Sequence, residues 1–187
     1  MNEEVEMILM ETEEKMVRTL KHLQSELTKI RAGRAQVGML DGIVVPYYGT
    51  MTPLNQLANI NTPDARTLAI QPWEKNMIQA IEKSILDSNI GLTPMNNGEI
   101  IRINVPMLTE ERRRELVKRV KNEGETSKVG TRNIRREGNE QLKKLIKEGL
   151  SEDAEKDAEE EVQKLTDQYI KKIDETIDQK EQEIMTI

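Results

Sequence analysis

Apolar residues in the first thirty positions fall at Val5, Leu9, Met16, Leu20, Leu23, Leu27 and Ile30, with Thr12 on the same line and no Gly or Pro among them. Steps of three and four put such side chains on one side of an α-helix. The spacing predicts a helix of about 45 Å at ~1.5 Å per residue. A second helix is predicted after Pro106, where Thr109-Glu110-Glu111-Arg112 places a capping hydroxyl and two carboxylates at a helix N-terminus. There they satisfy free N–H groups and oppose the dipole. Its seam runs Val117, Val120, Gly124, Ser127, Thr131, Ile134, Gly138, Leu142, Leu145, the alternation of threes and fours that a supercoiled bundle requires. A mid-helix glycine costs ~1 kcal/mol relative to alanine. The small residues Gly124, Ser127 and Gly138 are therefore read as places where a neighbouring helix comes close, with local weakness as the alternative. Gly149-Leu150-Ser151 ends that helix and caps a third, whose first turns are acidic and whose stripe is Ala154, Ala158, Val162, Leu165, Tyr169, Ile173, Ile177 and Ile184.

Between the first helix and its two partners the period changes. Ile43 to Tyr48 followed by Gly49-Thr50 reads as strand then turn, Thr67 to Ile70 as a second strand, and Ile100 to Val105 after the Asn96-Asn97-Gly98 turn as a third. Ile78, Ile81, Ile85 and Leu86 share one helical face after the Pro72-Trp73 break. The predicted class is α+β: an antiparallel three-helix bundle from residues 1–30 and 107–187, with a small β/α/β domain inserted at 31–106. Two chain crossings join the insert to the bundle. Their borders, near 31–38 and 104–107, are candidate hinges at Ala32, Gly33, Gly38 and Pro106.

Composition supports the division, since residues 38–103 carry 10 charges in 66 positions whereas the other 121 residues carry 52. The chain has no cysteine, which removes disulfide frameworks, thiol nucleophiles and Cys-based metal sites and leaves no sign of an oxidising compartment. The cytoplasm is expected, with no membrane partner, because no apolar run of ~18 residues occurs. His22 is the single histidine, too little for the imidazole chemistry of most hydrolases. Gly124 to Gly130 is not a phosphate loop, because no Gly-Lys-Ser/Thr follows and the segment lies within a predicted helix. The acidic run Asp153 to Glu161 lacks EF-hand spacing and the Glu-x-x-His of carboxylate-bridged metal bundles, and reads as a solvated helix start. No catalytic residue, cofactor or metal is expected.

The net charge of −6 hides a segregation: residues 1–30 sum to −3, 31–108 to zero, 109–149 to +5 and 150–187 to −8. At ~100° per residue, Arg114, Lys118, Lys121, Lys128, Arg132, Arg135, Arg136, Lys143 and Lys147 fall within an arc of ~120° beside the apolar seam. Two readings of this stripe stay open: ion pairs with the carboxylates of the third helix, or a surface that tracks phosphates. A nucleic-acid ligand would be folded RNA or duplex recognised by shape, since none of the four aromatic residues lies on the stripe to stack a splayed base.

Four blocks carry a more specific signal: Lys29-Ile-Arg-Ala-Gly-Arg-Ala35; Asp41-Gly-Ile-Val-Val-Pro-Tyr-Tyr-Gly49 with Thr52-Pro-Leu; Leu108-Thr-Glu-Glu-Arg-Arg113; and Val129-Gly-Thr-Arg-Asn-Ile-Arg-Arg136. In this order, nearly end to end, the chain resembles the ribosome recycling factor family. The resemblance implies a three-helix bundle bearing a β/α/β domain, an outline like transfer RNA and no enzyme activity. It implies binding to the ribosome after termination, mainly through large-subunit rRNA near the peptidyl-transferase region, and the protein is expected to be a monomer. With elongation factor G and GTP, such proteins split the subunits and release mRNA and deacylated tRNA. Arg132 matches the functional arginine of the family's Arg-Asn-x-Arg-Arg motif, and Arg31 and Arg34 match its basic junction. Arg112, Arg113, Lys121, Lys128, Arg135 and Arg136 complete the expected rRNA-binding set, partly on the strength of the stripe. A helical adaptor that binds peptides independently of RNA is the competing class, and it predicts salt-tolerant association.

Overall fold

Glu3–Thr28 forms α1, and Asn2 caps it by accepting the Glu4 N–H on its side-chain oxygen at 3.0 Å. The computed structural model describes residues 2–30 and 32–186 and divides into two compact units, one drawn from both ends of the chain (up to Ala32 and from Glu110 onward) and the other spanning Gly33–Thr109. In the first unit, α3 (Glu110–Lys147) and α4 (Glu152–Met185) pack with α1. Gly149, at φ +109°, lets the chain leave α3: its N–H bonds the Ile146 carbonyl and the Leu150 N–H bonds that of Leu145. Ser151 then caps α4 by accepting the Ala154 N–H at 3.2 Å. This is the predicted stop and restart.

The cross-helix contacts give the direction of packing. Along α3 the partners Lys121, Lys128, Arg135 and Lys143 meet Glu181, Asp174, Gln163 and Glu159, so α4 runs antiparallel to α3. Lys15 pairs with Glu137, and a Cβ on Gly130 or Gly138 would face Thr19 or Thr12, so α1 is antiparallel to α3 as well. Val5, Met16 and Leu23 of α1, Val120 and Leu142 of α3, and Val162, Ile173 and Ile184 of α4 are almost wholly buried. Tyr169 donates to Glu13 at 3.1 Å and ties α4 to α1.

The small residues of the seam are points of close approach. A Cβ on Gly124 would lie 1.8 Å from Ile177 Cδ1 and 2.8 Å from its Cγ1, and one on Gly138 would lie 2.9 Å from Thr12 Oγ1. That hydroxyl is held by the Ile8 carbonyl at 2.7 Å. Gly130 differs, with only Thr19 Cγ2 at 3.7 Å. Gly130→Ala is therefore expected to stabilise the bundle by ~0.5–1 kcal/mol through helix propensity. Gly124→Ala is expected to destabilise it by ~1–2 kcal/mol as overpacking outweighs that gain. Urea unfolding followed by far-UV circular dichroism should move the two midpoints in opposite directions. A common rise would mean that Gly124 is a weak point and not a contact.

Three seam positions differ from expectation. Leu116, not Val117, is buried, because a helix of period 3.6 reaches Val120 by a step of four and the pattern alone does not choose between adjacent apolar residues. On α4, Glu155 and Thr166 are buried where Ala154 and Leu165 were expected, and those two are half-buried. Thr166 satisfies its hydroxyl at the Val162 carbonyl, 2.8 Å away. Glu155 belongs to the acidic run read as solvated, yet only 5% of it is exposed and its Oε1 has no partner among the described residues. Burial, with Glu159 beside it, pushes its carboxyl above the ordinary carboxylate range.

In the second unit, β1 (Val44–Tyr47) pairs antiparallel with β2 (Thr50–Pro53) across the Tyr48-Gly49 turn. A second antiparallel sheet has the order β3-β4-β6-β5, from β3 (Ala58–Asp64), β4 (Thr67–Pro72), β5 (Pro94–Asn96) and β6 (Ile101–Asn104). Leu68 and Ile70 of β4, Ile101 and Ile103 of β6, and Ile81 and Ile85 of α2 (Ile78–Asp87) form a fully buried core. The pattern missed β2, β3 and β5, which are short or carry polar and proline residues and bury little, as edge strands do. Leu86, placed by the pattern on the buried face of α2, is 56% exposed, one residue around from Ile85. No helix among the described residues is long and apolar enough to cross a membrane.

Candidate nucleic-acid interface

An α-helix of 38 residues is the framework of the basic surface. Held by its seam against α1 and α4, α3 turns its stripe cations toward two different surroundings. On the edge nearer α4, Lys128 pairs with Asp174 at 2.5 Å and with Glu125 at 3.6 Å, leaving its side chain 18% exposed. The hydrogen bond to Asp174 raises its pKa above the ordinary lysine value. Lys121 lies 3.9 Å from Glu181, Arg135 donates to Gln163 at 3.4 Å, and Lys143 lies 3.6 Å from Glu159. Arg114 pairs with Glu110 of its own helix at 2.5 Å.

The other edge is different. Lys118, Arg132, Arg136 and Lys147 are exposed, and none makes a hydrogen bond or ion pair with another described residue. Arg119 and Lys144, outside the predicted arc, share that state and widen the unpaired surface. The ion-pair reading holds for one edge, where acids of α4 meet the cations, while the cations of the other edge make no such pair among the described residues. Sequence reasoning missed this division because which cations meet α4 depends on the helix–helix register. The apolar Val129, 51% exposed, lies beside Arg132 on the open edge.

The remaining expected residues are dispersed. Arg112 pairs with Glu115 at 2.9 Å. Arg113 is half-buried and donates through Nη1 to the Met185 carbonyl at 3.4 Å, at the C-terminal end of α4, where a cation opposes the dipole. Arg34 is exposed on the second unit, and Arg31 lies outside the described residues. Of the border residues, Ala32 is buried, Gly38 belongs to a 3-10 turn over Val37–Leu40, and Pro106 is exposed. Gly33 has φ +76°, and a Cβ there would lie 2.6 Å from Leu108 Cγ, so the position requires glycine on two counts.

Comparison with known proteins gives this surface its context. The family profile described as Ribosome recycling factor matches residues 23–185. Among curated relatives, the ribosome-recycling factor of Flavobacterium johnsoniae is 57% identical over 187 residues, covering 100% of both chains. That of Ralstonia pickettii is 52% identical over 176 residues, 94% of this chain and 95% of its own. A solution structure of the ribosome recycling factor superposes with a TM-score of 0.73 at 41% identity, covering 100% of both chains. A further match comes from models of the T. thermophilus ribosome recycling factor and the E. coli elongation factor G bound to the E. coli post-termination complex. It has a TM-score of 0.60 at 47% identity and covers 97% of this chain and 98% of that one. A bundle with an open basic edge, a small antiparallel-sheet unit and full-length identity above one half lead to one conclusion: the chain belongs to the ribosome recycling factor family, whose members act in ribosome recycling and are not enzymes.

Proposed function

We propose that this protein acts as a monomer in the cytoplasm, binding the post-termination ribosome through rRNA of the large subunit and, with elongation factor G and GTP, splitting it into subunits so that mRNA and deacylated tRNA leave. The observation that carries the RNA contact is the unpaired edge of α3, where Arg132 and Arg136 stand exposed and make no ion pair among the described residues. Arginine forks match phosphate oxygens in geometry as well as charge. The relative from the post-termination complex supports the choice of ribosome and of elongation factor G as partners. Lys121, Lys128, Arg112, Arg113 and Arg135 enter this reading as supports of the surface, since each already has a partner in the bundle. Lys118, Arg132, Arg136 and Lys147 are its phosphate contacts, and Arg34 of the second unit is a separate one. Gly33, Gly38, Ala32 and Pro106 are the proposed hinge positions between the two units.

Ribosome pelleting at graded salt tests the reading. If about five cations release counterions from phosphates, log K should fall against log salt with a slope of about −4. A flat dependence would favour a helical adaptor that grips protein, and the RNA reading would be given up.

A further inference from the structure

Three of the four aromatic residues in the chain gather on the second unit. Tyr47 and Tyr48 meet edge to face, with ring centroids 4.5 Å apart and planes at 74°. Both phenols donate to one carboxylate, Tyr47 to Glu74 Oε1 at 2.8 Å and Tyr48 to Oε2 at 3.3 Å. Trp73 lies next in sequence, its backbone N–H fixed on the Leu57 carbonyl at 3.1 Å, yet its side chain is 62% exposed and that of Tyr48 is 77% exposed. Tyr47, Trp73 and Glu74, with Leu57 and Met77, line a groove of about 360 Å³. No Lys or Arg lines it, Glu74 makes no ion pair among the described residues, and the adjacent Lys75 is engaged by Glu99 at 3.1 Å.

The chemistry of this arrangement is selective. Ring faces attract cations, and a carboxylate beside them adds a charged acceptor. A phosphate-bearing ligand would meet the Glu74 charge and be repelled, so the groove does not suit the ligand that suits α3. Leu57 and Met77 back the groove but are themselves buried, so the exposed Trp73 ring is the apolar surface for the methylene stem of a long side chain. We propose that the Tyr47–Trp73–Glu74 groove seats the guanidinium of an arginine carried on an extended segment of a partner protein. Guanidinium is favoured over ammonium because its plane stacks on an aromatic ring while its edge presents donors to a carboxylate. Tyr47, a protonated donor at neutral pH as any phenol is, has its pKa raised further by the hydrogen bond to Glu74, and the carboxylate retains lone pairs for the guest.

Trp73, the only tryptophan of the chain, reports directly on the groove in the intact protein. The probe is a short acetylated peptide of glycine and proline carrying two arginines, compared with the same peptide in which citrulline, neutral and nearly isosteric, replaces arginine. The arginine peptide should shift Trp73 emission saturably, and the citrulline peptide should bind roughly tenfold more weakly, as loss of a charge-assisted contact implies. Glu74→Gln should weaken the arginine peptide to a similar extent, and Tyr48→Ser, at an exposed ring, by about threefold, both with unchanged circular dichroism. Equal binding of the two peptides, or wild-type binding by both variants, would overturn the proposal. So would a uridine hexamer that shifts the emission as far as the arginine peptide, which would assign the groove to RNA.

Discussion

Arg132→Ala is expected to lower ribosome affinity by a factor of roughly ten to a hundred while leaving the bundle folded. The side chain is exposed and makes no hydrogen bond or ion pair with a described residue, so its removal opens no buried cavity and breaks no internal polar bond. On the proposed reading, what is lost is a charge-assisted contact with RNA, worth ~1.5–3 kcal/mol when the partner is a phosphate held in place. Lys128→Ala provides the contrast. That ammonium is held by Asp174 at 2.5 Å, so its loss should be felt in the unfolding midpoint more than in binding. Pelleting at one fixed salt concentration, with circular dichroism in parallel, separates the two. A soluble, fully helical Arg132→Ala protein that binds like the wild type would remove Arg132 from the interface and with it the main support for the proposed surface.

Removing the insert should have a larger effect, on a different step. A chain that joins residues 1–30 to 107–187 through a short Gly-Ser linker retains every stripe cation and the bundle core. The second unit has its own core, built on Leu68, Ile70, Ile81, Ile85, Ile101 and Ile103. The shortened protein should stay helical, keep much of its ribosome affinity and compete with the intact protein. It should nevertheless fail to split post-termination ribosomes with elongation factor G and GTP. The insert carries no net charge, which makes it a poor RNA anchor, and it is a separate body on which a protein partner can act. Light scattering follows the splitting. A rate near that of the full-length protein would show that the insert is dispensable and that force does not reach the ribosome through it.

The long helices were legible because each carries an uninterrupted period of 3.6 and ends in residues with a definite backbone role, Gly149 and Ser151 most plainly. The close approaches at Gly124 and Gly138 were legible for a related reason, since glycine inside a strong helix is an exception that calls for a neighbour. Strands β2, β3 and β5 were not, because an edge strand buries too little to impose alternation on its sequence. At the interface, helical projection found the cations but not their division into paired and unpaired edges. That division depends on the register that brings Asp174 to Lys128 and Glu159 to Lys143, and register is a property of two helices together. The burial of Glu155 escaped for the same reason. The aromatic groove joins residues 47–48 to 73–74, which are adjacent only once β1 and β4 are folded.

The antiparallel pairing of α3 with α4 also bears on how the protein arrives at its target. A helix from the segment of charge +5 lies along one from the segment of charge −8, so the bundle has a positive flank and a negative flank despite its overall negative charge. In the field of a polyanion such a body experiences a torque as well as a net force: its acidic side is pushed away and the open edge of α3 is turned inward before any contact forms. A protein with this distribution loses few encounters to approach from the wrong side, and its net repulsion limits lingering on RNA that does not fit.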